Sequence, residues 1–451
     1  MLSQKQTLQR AIPKLPGLPF LGNIREFRSN RLDLLLRVSQ ECGDIGIFRV
    51  GPWPVVLVNS PEYVYNVLVA NADAFEKAPL LRQHLRPLLG NGLVSSENEF
   101  HKRQRQLIAP AFQHHRIATS AEVIAAYAER IQDDWADGTT INIGDEMMRL
   151  TLWIVGKTLF DADVLSEAAE LRGTLTTFAH VANDMANTLI RVPASWPTRR
   201  NQHFRQAITR LDATIGRIIE QRRQANHDQG DLLSMLLHAQ DEDDGSFMTD
   251  QQVRDEAITL FIAGHETTAQ ALTWTWYLLT QHPAVYAQLR TEVDRVLGGR
   301  TPTSTDLPAL PYTLQVFKEA LRLYPPSWVI LRQAQQSVGV GNYELPRGMR
   351  VAVSPYTLHR RPDDFPHPEV FDPERFTPQA ETHRPRYAYL PFGAGPRVCI
   401  GNHFALMEAH LILSALIQRV TFELVPRQQI EPEPLITLRP KGGIKVVVRR
   451  R

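Results

Sequence analysis

The chain of 451 residues contains only two cysteines, Cys42 and Cys399. Two cysteines cannot form the disulfide framework of a small secreted domain, so a reducing cytosol fits and we expect a cytoplasmic protein. A free cysteine usually behaves as a small buried hydrophobe. We therefore expect one buried cysteine, Cys42, and one that serves as a ligand, Cys399.

The sequence also lacks long hydrophobic runs and an excess of one charge. No stretch reaches the roughly 18 apolar residues of a membrane span, so we expect no transmembrane anchor. The formal net charge is only +2, which gives no reason to expect a nucleic-acid partner. Hydrophobic residues make up 43% and charged residues 22%, ordinary values for a globular core. We expect a monomer.

Helical periodicity dominates the chain after residue 60. Residues 1–24 are rich in proline and glycine and are typical of a stiff lead-in. Residues 25–451 contain no linker or repeat, so we expect a single, mainly α domain with small β-sheets. Strands are predicted at 45–50 and 54–58, and a β-hairpin with a Gly-Gly bend at 435–448. Apolar residues three and four apart predict helices at 118–136, 142–160, 163–188, 202–226 and 250–281.

The strongest local pattern is FGAGPRVCIG at 392–401, which runs directly into an apolar helical stretch. A cysteine at a helix N-terminus meets backbone N–H groups and the positive end of the helix dipole, which favour the thiolate. A thiolate donates electrons to haem iron and so helps to cleave an O–O bond. Gly393 and Gly395 would let the backbone approach a flat macrocycle closely. The alternative is a glycine-rich turn before a core helix, with a buried cysteine.

These residues resemble the cysteine-ligand loop of the cytochrome P450 family. The resemblance implies the mainly helical single-domain fold of that family, and Cys399 as the axial ligand of a haem iron. The haem would be haem b, held without a covalent link, because the chain has no CxxCH motif. Within the loop, Arg397 would pair with a haem propionate. Further loop contacts to the haem would come from Phe392, Gly393 and Gly401.

Glu319 and Arg322 lie three residues apart and share one face of a predicted helix. Alone, such a pair is typical of a surface salt bridge worth only ~0.3 kcal/mol. In order with the cysteine loop, it resembles the ExxR motif of the family, in which a later arginine joins the pair. The segment FDPERF supplies that arginine as Arg375. We expect this cluster to fix the core around the haem rather than to add stability, because burying its charges costs desolvation.

The segment AGHETT at 263–268 places a glycine and two threonines inside an otherwise apolar helix. Glycine costs a helix about 1 kcal/mol relative to alanine, and threonine hydroxyls bond back to the backbone. A kinked core helix explains the segment as well as a functional site does. The family resemblance implies the oxygen groove: Ala263 and Gly264 would leave room for O₂. Thr267 would then hydrogen-bond the O₂, and Glu266 would relay protons from water.

Three basic residues are similar to the propionate ligands of the family. His101 and Arg105 are four apart on one helix face, and they match the propionate-binding pair, although many relatives have tryptophan at the first position. Arg332, just after the ExxR helix, resembles the arginine that contacts the other propionate. Lys102 and Arg103 fit a solvated basic face.

The resemblance implies a monooxygenase that inserts one oxygen atom of O₂ into an organic substrate and reduces the other to water. Apolar segments at 79–94, 181–192 and 329–331 and near Leu438 favour a lipophilic substrate, a fatty acid or a terpenoid. Two alternatives stay open: a peroxide-driven peroxygenase of the same fold, and a haem-binding sensor without turnover. The pair Glu266 and Thr267 argues against both.

The chain has no flavin or iron–sulfur domain, so its electrons must come from separate proteins. We expect an acidic ferredoxin or flavodoxin-like donor with its NAD(P)H reductase, attracted by basic residues near the cysteine side of the haem. The candidates are Lys102, Arg103, Arg116, Arg384 and Arg386.

Overall fold

A computed structural model describes residues 10–161, 196, 198–225, 231–240 and 245–451. The described residues form two compact units. The first, here called the sheet unit, contains the described residues up to Gln83, with Ser327–Val370 and Gln379–Cys399. The second, the helical unit, contains His84–Pro326, Phe371–Pro378 and Ile400–Arg451 as far as they are described.

The sheet unit contains a five-stranded sheet and a separate hairpin. The sheet strands are β1 (Ile45–Val50), β2 (Trp53–Val58), β3 (Phe75–Lys77), β5 (Ile330–Ala334) and β8 (Arg350–Val353), in the order β1-β2-β8-β5-β3. The hairpin pairs β6 (Val338–Val340) with β7 (Tyr343–Leu345). Valine-rich strands favour this arrangement, and the buried face includes Val56, Val58, Val351 and Val353. Helices of this unit are α1 (Ile24–Ser29), α2 (Arg31–Cys42), α3 (Pro61–Tyr65) and α14 (Pro355–Leu358).

The described part of the proline-rich lead-in pairs with β1. The Leu15 N–H donates to the Ile47 carbonyl at 2.8 Å, and the Ile47 N–H donates to the Pro13 carbonyl at 2.8 Å. A proline has no N–H but keeps its carbonyl acceptor, so a proline-rich segment can still pair with a strand on one side.

The helical unit is built on ten helices of the described residues and two small sheets. The helices are α5 (Asn98–Ile108), α6 (His114–Thr119), α7 (Ala121–Arg130), α8 (Ile143–Phe160), α9 (Arg199–Ala225), α10 (Leu232–His238), α11 (Asp250–Gln281), α12 (Pro283–Leu297), α13 (Pro311–Leu323) and α16 (Asn402–Ile417). The strands are β4 (Thr140–Asn142), β9 (Val420–Leu424), β10 (Pro432–Pro434), β11 (Leu438–Pro440) and β12 (Lys445–Arg450). Two helices, α4 (Pro79–Leu89) and α15 (Pro378–His383), include residues of both units.

Helix α11 is the longest described helix, and it runs unbroken for 32 residues. A capping box starts it, because the Thr249 side chain accepts from the Gln252 N–H while the Gln252 side chain accepts from the Thr249 N–H. Its C-terminal half is buried, and Trp274 stacks on Tyr324 with ring centroids 4.0 Å apart. The prediction of a helix at 250–281 is confirmed.

The other sequence predictions have mixed outcomes. The helices predicted at 142–160 and 202–226 are confirmed as α8 and α9, and the strands at 45–50 and 54–58 as β1 and β2. The helix predicted at 118–136 is divided among α6, α7 and a 3₁₀ turn at Ile131–Asp134. The helix predicted at 163–188 lies outside the described residues. No helix of the described part of the chain is long and apolar enough to cross a membrane.

The C-terminal hairpin predicted at 435–448 is wrong. Strand β11 pairs with β10, whereas β12 pairs with β4 and β9. The chain does bend at the two glycines, but β4 and the start of α8 then bind it. Asn142 Oδ1 accepts a hydrogen bond from the Ile444 N–H at 3.1 Å, and the Ile143 N–H donates to the Ile444 carbonyl at 2.9 Å. Tertiary pairing with β4 therefore replaces the local hairpin.

Candidate active site

One face of α11 is open in the middle of the helix. Ala263, Glu266 and Thr267 are half-buried, whereas His265 and Thr268 are buried. Residues three and four apart share a helix face, so the three half-buried residues lie side by side. The Thr267 hydroxyl donates to the Ala263 carbonyl at 2.7 Å. That bond uses the hydroxyl hydrogen and leaves the oxygen lone pairs able to accept a hydrogen bond.

Gly264 faces α8. A Cβ at this position would lie 3.1 Å from Val155 Cγ2, and the Thr151 hydroxyl on the same helix donates to the His265 carbonyl at 2.9 Å. The absence of a side chain at Gly264 therefore allows close packing of α8 on α11. Room for O₂ at Gly264 stays a prediction.

His265 is a buried packing residue. Burial lowers its pKa to about 4, so the imidazole is neutral at physiological pH. Its Nδ1 lies 3.2 Å from the Phe261 carbonyl. Its burial and its contact with this carbonyl are consistent with packing, and Glu266 is the other ionisable group of the AGHETT segment.

The Glu266 carboxyl is held by a residue that the sequence did not reveal. Thr437, which precedes β11, donates its hydroxyl to Glu266 Oε1 at 2.7 Å. Burial raises the pKa of Glu266, and the Thr437 hydrogen bond and the Arg439 charge oppose that rise. Thr437 lies between Ile436 and Leu438, and nothing in that local pattern distinguishes it from a core threonine.

Helix α5 carries His101 and Arg105. His101 is buried and Arg105 is half-buried. Between them, Gln104 is fully buried, and neither polar atom of its amide has a hydrogen-bond partner among the described residues. Buried polar groups in proteins are normally paired, but no open space adjoins this amide, so it does not mark a ligand site.

Arg332 lies on β5 of the sheet unit. It is half-buried, its Nη1 donates to the Leu331 carbonyl at 3.1 Å, and it is opposite Val351 of β8 and Lys77 of β3. The pairing on both sides places Arg332 on a regular strand in the interior of the sheet. Its contact with a propionate stays a prediction.

The cysteine loop is a closed turn with an exposed thiol. Cys399 is exposed, and its N–H donates to the Phe392 carbonyl at 2.9 Å. Gly393 and Gly395 have φ values of 71° and 69°, in the left-handed region that favours glycine. A Cβ on Gly395 would lie 1.9 Å from the Leu68 carbonyl oxygen. Packing against the π-helical turn at Asn66–Ala70 therefore demands Gly395, independently of any macrocycle.

Arg397 and Gly401 lie on either side of Cys399 in the chain. Arg397 ends a 3₁₀ turn at Gly395–Arg397. Gly401 is the N-cap residue of α16 and offers no side-chain cap, so the first N–H groups of that helix keep their positive potential. By the chemistry of this donor set, the residues fit a haem: an exposed thiol, glycines with permissive backbone and a helix N-terminus that favours a thiolate.

The structure brings Glu319, Arg322 and Arg375 together in the helical unit. The side chains of Glu319 and Arg322 are fully buried and form a bidentate pair, with Nε–Oε2 at 2.7 Å and Nη2–Oε1 at 2.8 Å. The Asp372 N–H donates to Glu319 Oε1 at 2.9 Å, and Arg375 Nε lies 3.5 Å from the same oxygen. Burial raises the pKa of Glu319, and these partners oppose it. The role of this cluster in fixing the core stays a prediction.

The model of one protein family, described as cytochrome P450, matches residues 13–448. The chain belongs to the cytochrome P450 family. Cyclooctatin synthase from Streptomyces melanosporofaciens is 40% identical over 424 residues, which cover 94% of this chain and 92% of that protein. Cyclooctat-9-en-7-ol 5-monooxygenase from the same organism is 36% identical over 414 residues, covering 91% of this chain and 89% of that protein.

The fold is also that of a cytochrome P450. A crystal structure described as the cytochrome P450DA heme domain is similar with a TM-score of 0.88 and 27% sequence identity, and the match covers 98% of each chain. The expected fold class is confirmed. As a P450, the chain binds haem b and is a haem-thiolate monooxygenase. It uses O₂, an organic substrate and electrons from a redox partner.

The basic residues expected to attract the redox partner of this P450 have different surroundings. In the helical unit, Arg103 Nη2 donates to the Ser246 hydroxyl at 2.6 Å, and Lys102 is exposed with its Nζ 3.8 Å from Glu99. Arg116 is half-buried. In the sheet unit, Arg384 lies over the Phe365 ring at 4.6 Å and Arg386 over the Tyr387 ring at 5.5 Å. A guanidinium group that lies over an aromatic ring keeps its positive charge.

Cys42 differs from its expected environment. It is half-buried at the end of α2, and burial raises the pKa of its thiol. The expectation of a buried cysteine is therefore wrong in degree. A thiol with a raised pKa is a poor nucleophile and a poor ligand, which is consistent with a packing role.

Proposed function

We propose that this P450 hydroxylates a terpenoid, with Cys399 as the axial ligand of the haem iron and with Glu266 and Thr267 as the proton relay. The observation that carries the proposal is the open face in the middle of α11. There a threonine hydroxyl and a carboxyl lie half-buried, side by side, in the middle of a helix most of whose other residues are buried. The haem, when bound through a thiolate, supplies the reductive activation of O₂.

Ten residues are proposed to hold the haem: His101, Arg105, Ala263, Gly264, Arg332, Phe392, Gly393, Arg397, Cys399 and Gly401. The exposed thiol of Cys399 supports the assignment. A propionate carboxylate accepts hydrogen bonds from arginine and histidine side chains.

The relay is proposed to work through two neighbouring side chains. The Thr267 hydroxyl, whose hydrogen is donated to the Ala263 carbonyl, accepts a hydrogen bond on its oxygen and so orients a proton donor on the open face. The Glu266 carboxyl, whose pKa burial raises, can take a proton from water and pass it on. This pair supports reductive chemistry over the peroxide-driven alternative.

The substrate class is proposed from the relatives. The name of one relative specifies a monooxygenase acting on cyclooctat-9-en-7-ol, and that of another specifies a cyclooctatin synthase. Both names denote compounds with a carbon ring, which fits the apolar segments at 79–94 and 329–331. The segment at 181–192 lies outside the described residues. A terpenoid is therefore proposed in preference to a fatty acid.

The electron donor, the oligomeric state and the location of the protein are also proposed. We propose a ferredoxin or flavodoxin-like donor with its NAD(P)H reductase, a monomeric P450 and a cytoplasmic location. The cations Lys102, Arg103 and Arg116 of the helical unit support an acidic donor, because charge complementarity speeds docking.

A ligand screen tests the substrate class. Terpenoid alcohols and straight-chain fatty acids of matched carbon number are added to the purified ferric holoenzyme, and the shift of the haem from low to high spin is recorded. We expect saturable shifts with cyclic terpenoids and none with fatty acids. Saturable shifts with fatty acids alone would contradict the terpenoid assignment.

A substitution tests the ligand. Cys399→Ser should lose the red-shifted Soret band that thiolate-bound haem gives with carbon monoxide after reduction, because serine supplies no thiolate. Cys42→Ser, the matched control, should retain the band. An unchanged band in Cys399→Ser would show that another residue holds the iron.

A second substitution tests the relay. Thr267→Ala should keep its haem content but release more peroxide and less product per reductant consumed, since the acceptor on the open face is gone. Thr273→Ala is the control on the same helix: its buried hydroxyl donates only to the Ala269 carbonyl among the described partners. If the two variants form the same amount of product per reductant consumed, Thr267 is only a packing residue.

A further inference from the structure

The hairpin of β10 and β11 makes two hydrogen bonds to α11 and one to the chain after α13, all within the helical unit. The Thr437 hydroxyl donates to Glu266 Oε1 at 2.7 Å. The Leu438 N–H donates to the Pro326 carbonyl at 2.9 Å, and Trp274 Nε1 donates to the Leu438 carbonyl at 2.9 Å. With both backbone groups of Leu438 bonded, its neighbour Thr437 has little freedom to move away from Glu266.

Thr437 is buried, with 5% of its surface exposed. A buried hydroxyl must donate its hydrogen to some acceptor, and here the acceptor is the Glu266 carboxyl. A hydrogen bond donated to a carboxylate favours its charged form. Thr437 therefore acts on the ionisation of Glu266 as well as on its orientation.

The same hairpin supplies an opposite charge that acts on Glu266. Arg439 opposes the burial effect on the pKa of Glu266, and it is itself paired with Glu433, directly across the hairpin, with Nε–Oε2 at 3.0 Å. Among the described groups, Thr437 and Arg439 are those that act on Glu266. Both lie on a hairpin that follows α11 by more than a hundred residues in the sequence.

We infer that Thr437 is a positioning residue for Glu266, and that the β10–β11 hairpin is thereby part of the proton-delivery apparatus. Thr437 holds Oε1, and Oε2 is left as the atom that exchanges protons with water. The inference rests on the proposed function, in which Glu266 relays protons. It adds a residue outside the AGHETT segment and a structural element to that relay.

The test uses the holoenzyme with four variants and a fifth in reserve. Thr437→Val removes the hydroxyl and keeps the shape, Thr437→Ser keeps the hydroxyl, and Glu266→Gln removes the carboxyl. Thr273→Val is a control for placing valine at a buried threonine of α11. Thr437→Ala repeats the first change if valine impairs haem incorporation.

The first measurement is infrared and does not depend on turnover. The protonated Glu266 carbonyl band is identified as the band that Glu266→Gln lacks, and it is followed through a pH titration. In Thr437→Val the band should move to higher frequency and titrate at higher pH, because the carboxyl has lost a donor. Thr437→Ser and Thr273→Val should match the wild type.

The second measurement is the peroxide released per reductant consumed, with a ferredoxin and its reductase as donor and no organic substrate added. Its pH midpoint should shift upward in Thr437→Val and recover in Thr437→Ser. If Glu266→Gln leaves peroxide release unchanged, the proposed relay role of Glu266 fails. If Glu266→Gln changes it while Thr437→Val matches the wild type in both measurements, the relay stands and the inference about Thr437 is overturned.

Discussion

Replacing Glu408 by glutamine should change how stability depends on pH. Glu408 lies on α16 and is fully buried, and neither carboxyl oxygen makes a hydrogen bond of normal geometry to the described residues. Burial raises its pKa from 4.5 to about 8, with a small opposing effect of the nearby Thr268 hydroxyl. The carboxyl is therefore protonated in the folded protein at neutral pH.

The sign and size of this change in the free energy of unfolding with pH follow from proton linkage. Between the unfolded and the folded pKa, the folded state holds one proton more than the unfolded state, so the free energy of unfolding falls as pH rises. Each pH unit in this window is worth about 1.4 kcal/mol. The stability of the wild type should thus fall relative to Glu408→Gln by about 3 kcal/mol over two pH units, from about pH 5.5 to about pH 7.5.

Urea unfolding followed by circular dichroism at several pH values measures the difference. Glu122→Gln is the matched control, because Glu122 is exposed on α7 and its carboxyl faces water in both states. Its stability difference from the wild type should stay constant with pH. Parallel stability curves for Glu408→Gln and the wild type would refute the reasoning, since they would mean that Glu408 is ionised in the folded protein.

Two further predictions concern the cysteine loop and the electron donor. Gly395→Ala should lower the unfolding free energy by about 2–5 kcal/mol, combining the left-handed backbone with a clash against the Leu68 carbonyl. Gly298→Ala, left-handed but in open space, should cost only about 1–2 kcal/mol, and equal losses in urea unfolding would contradict the clash. First-electron transfer from an acidic ferredoxin should slow as salt rises above ~0.1 M. Charge reversal at Arg103 and Arg116 should slow it at low salt and flatten the salt dependence, whereas a rate indifferent to both would place donor docking elsewhere.

The sequence was most informative where the signal is local. The bounds of α8 and α11 follow from long apolar patterns and from the Thr249 capping box, which depend on neighbours within a few residues. The pairing of Glu319 with Arg322 could also be predicted from the sequence, because the two residues are one helical turn apart. Arg375 joined them only through the resemblance, since its separation in sequence gives no physical cue.

The sequence was uninformative where tertiary partners decide. The hairpin predicted at 435–448 failed because β12 finds β4 as its partner, a pairing that no local pattern encodes. Thr437, Glu408 and Gln104 escaped notice for the same reason. Each is a polar residue within a mixed segment, and only its distant neighbours make it unusual.

The pairing of β4 with β12 has a consequence for biosynthesis. Asn142 lies opposite Lys445, so roughly 300 residues must be translated after β4 before its partner exists. At ~5–20 residues per second, β4 waits on the order of 15–60 s. During that interval its edge is open to other chains. We therefore expect nascent chains stalled before β12 to depend on chaperones, and full-length chains to be released from them once the three-stranded sheet closes.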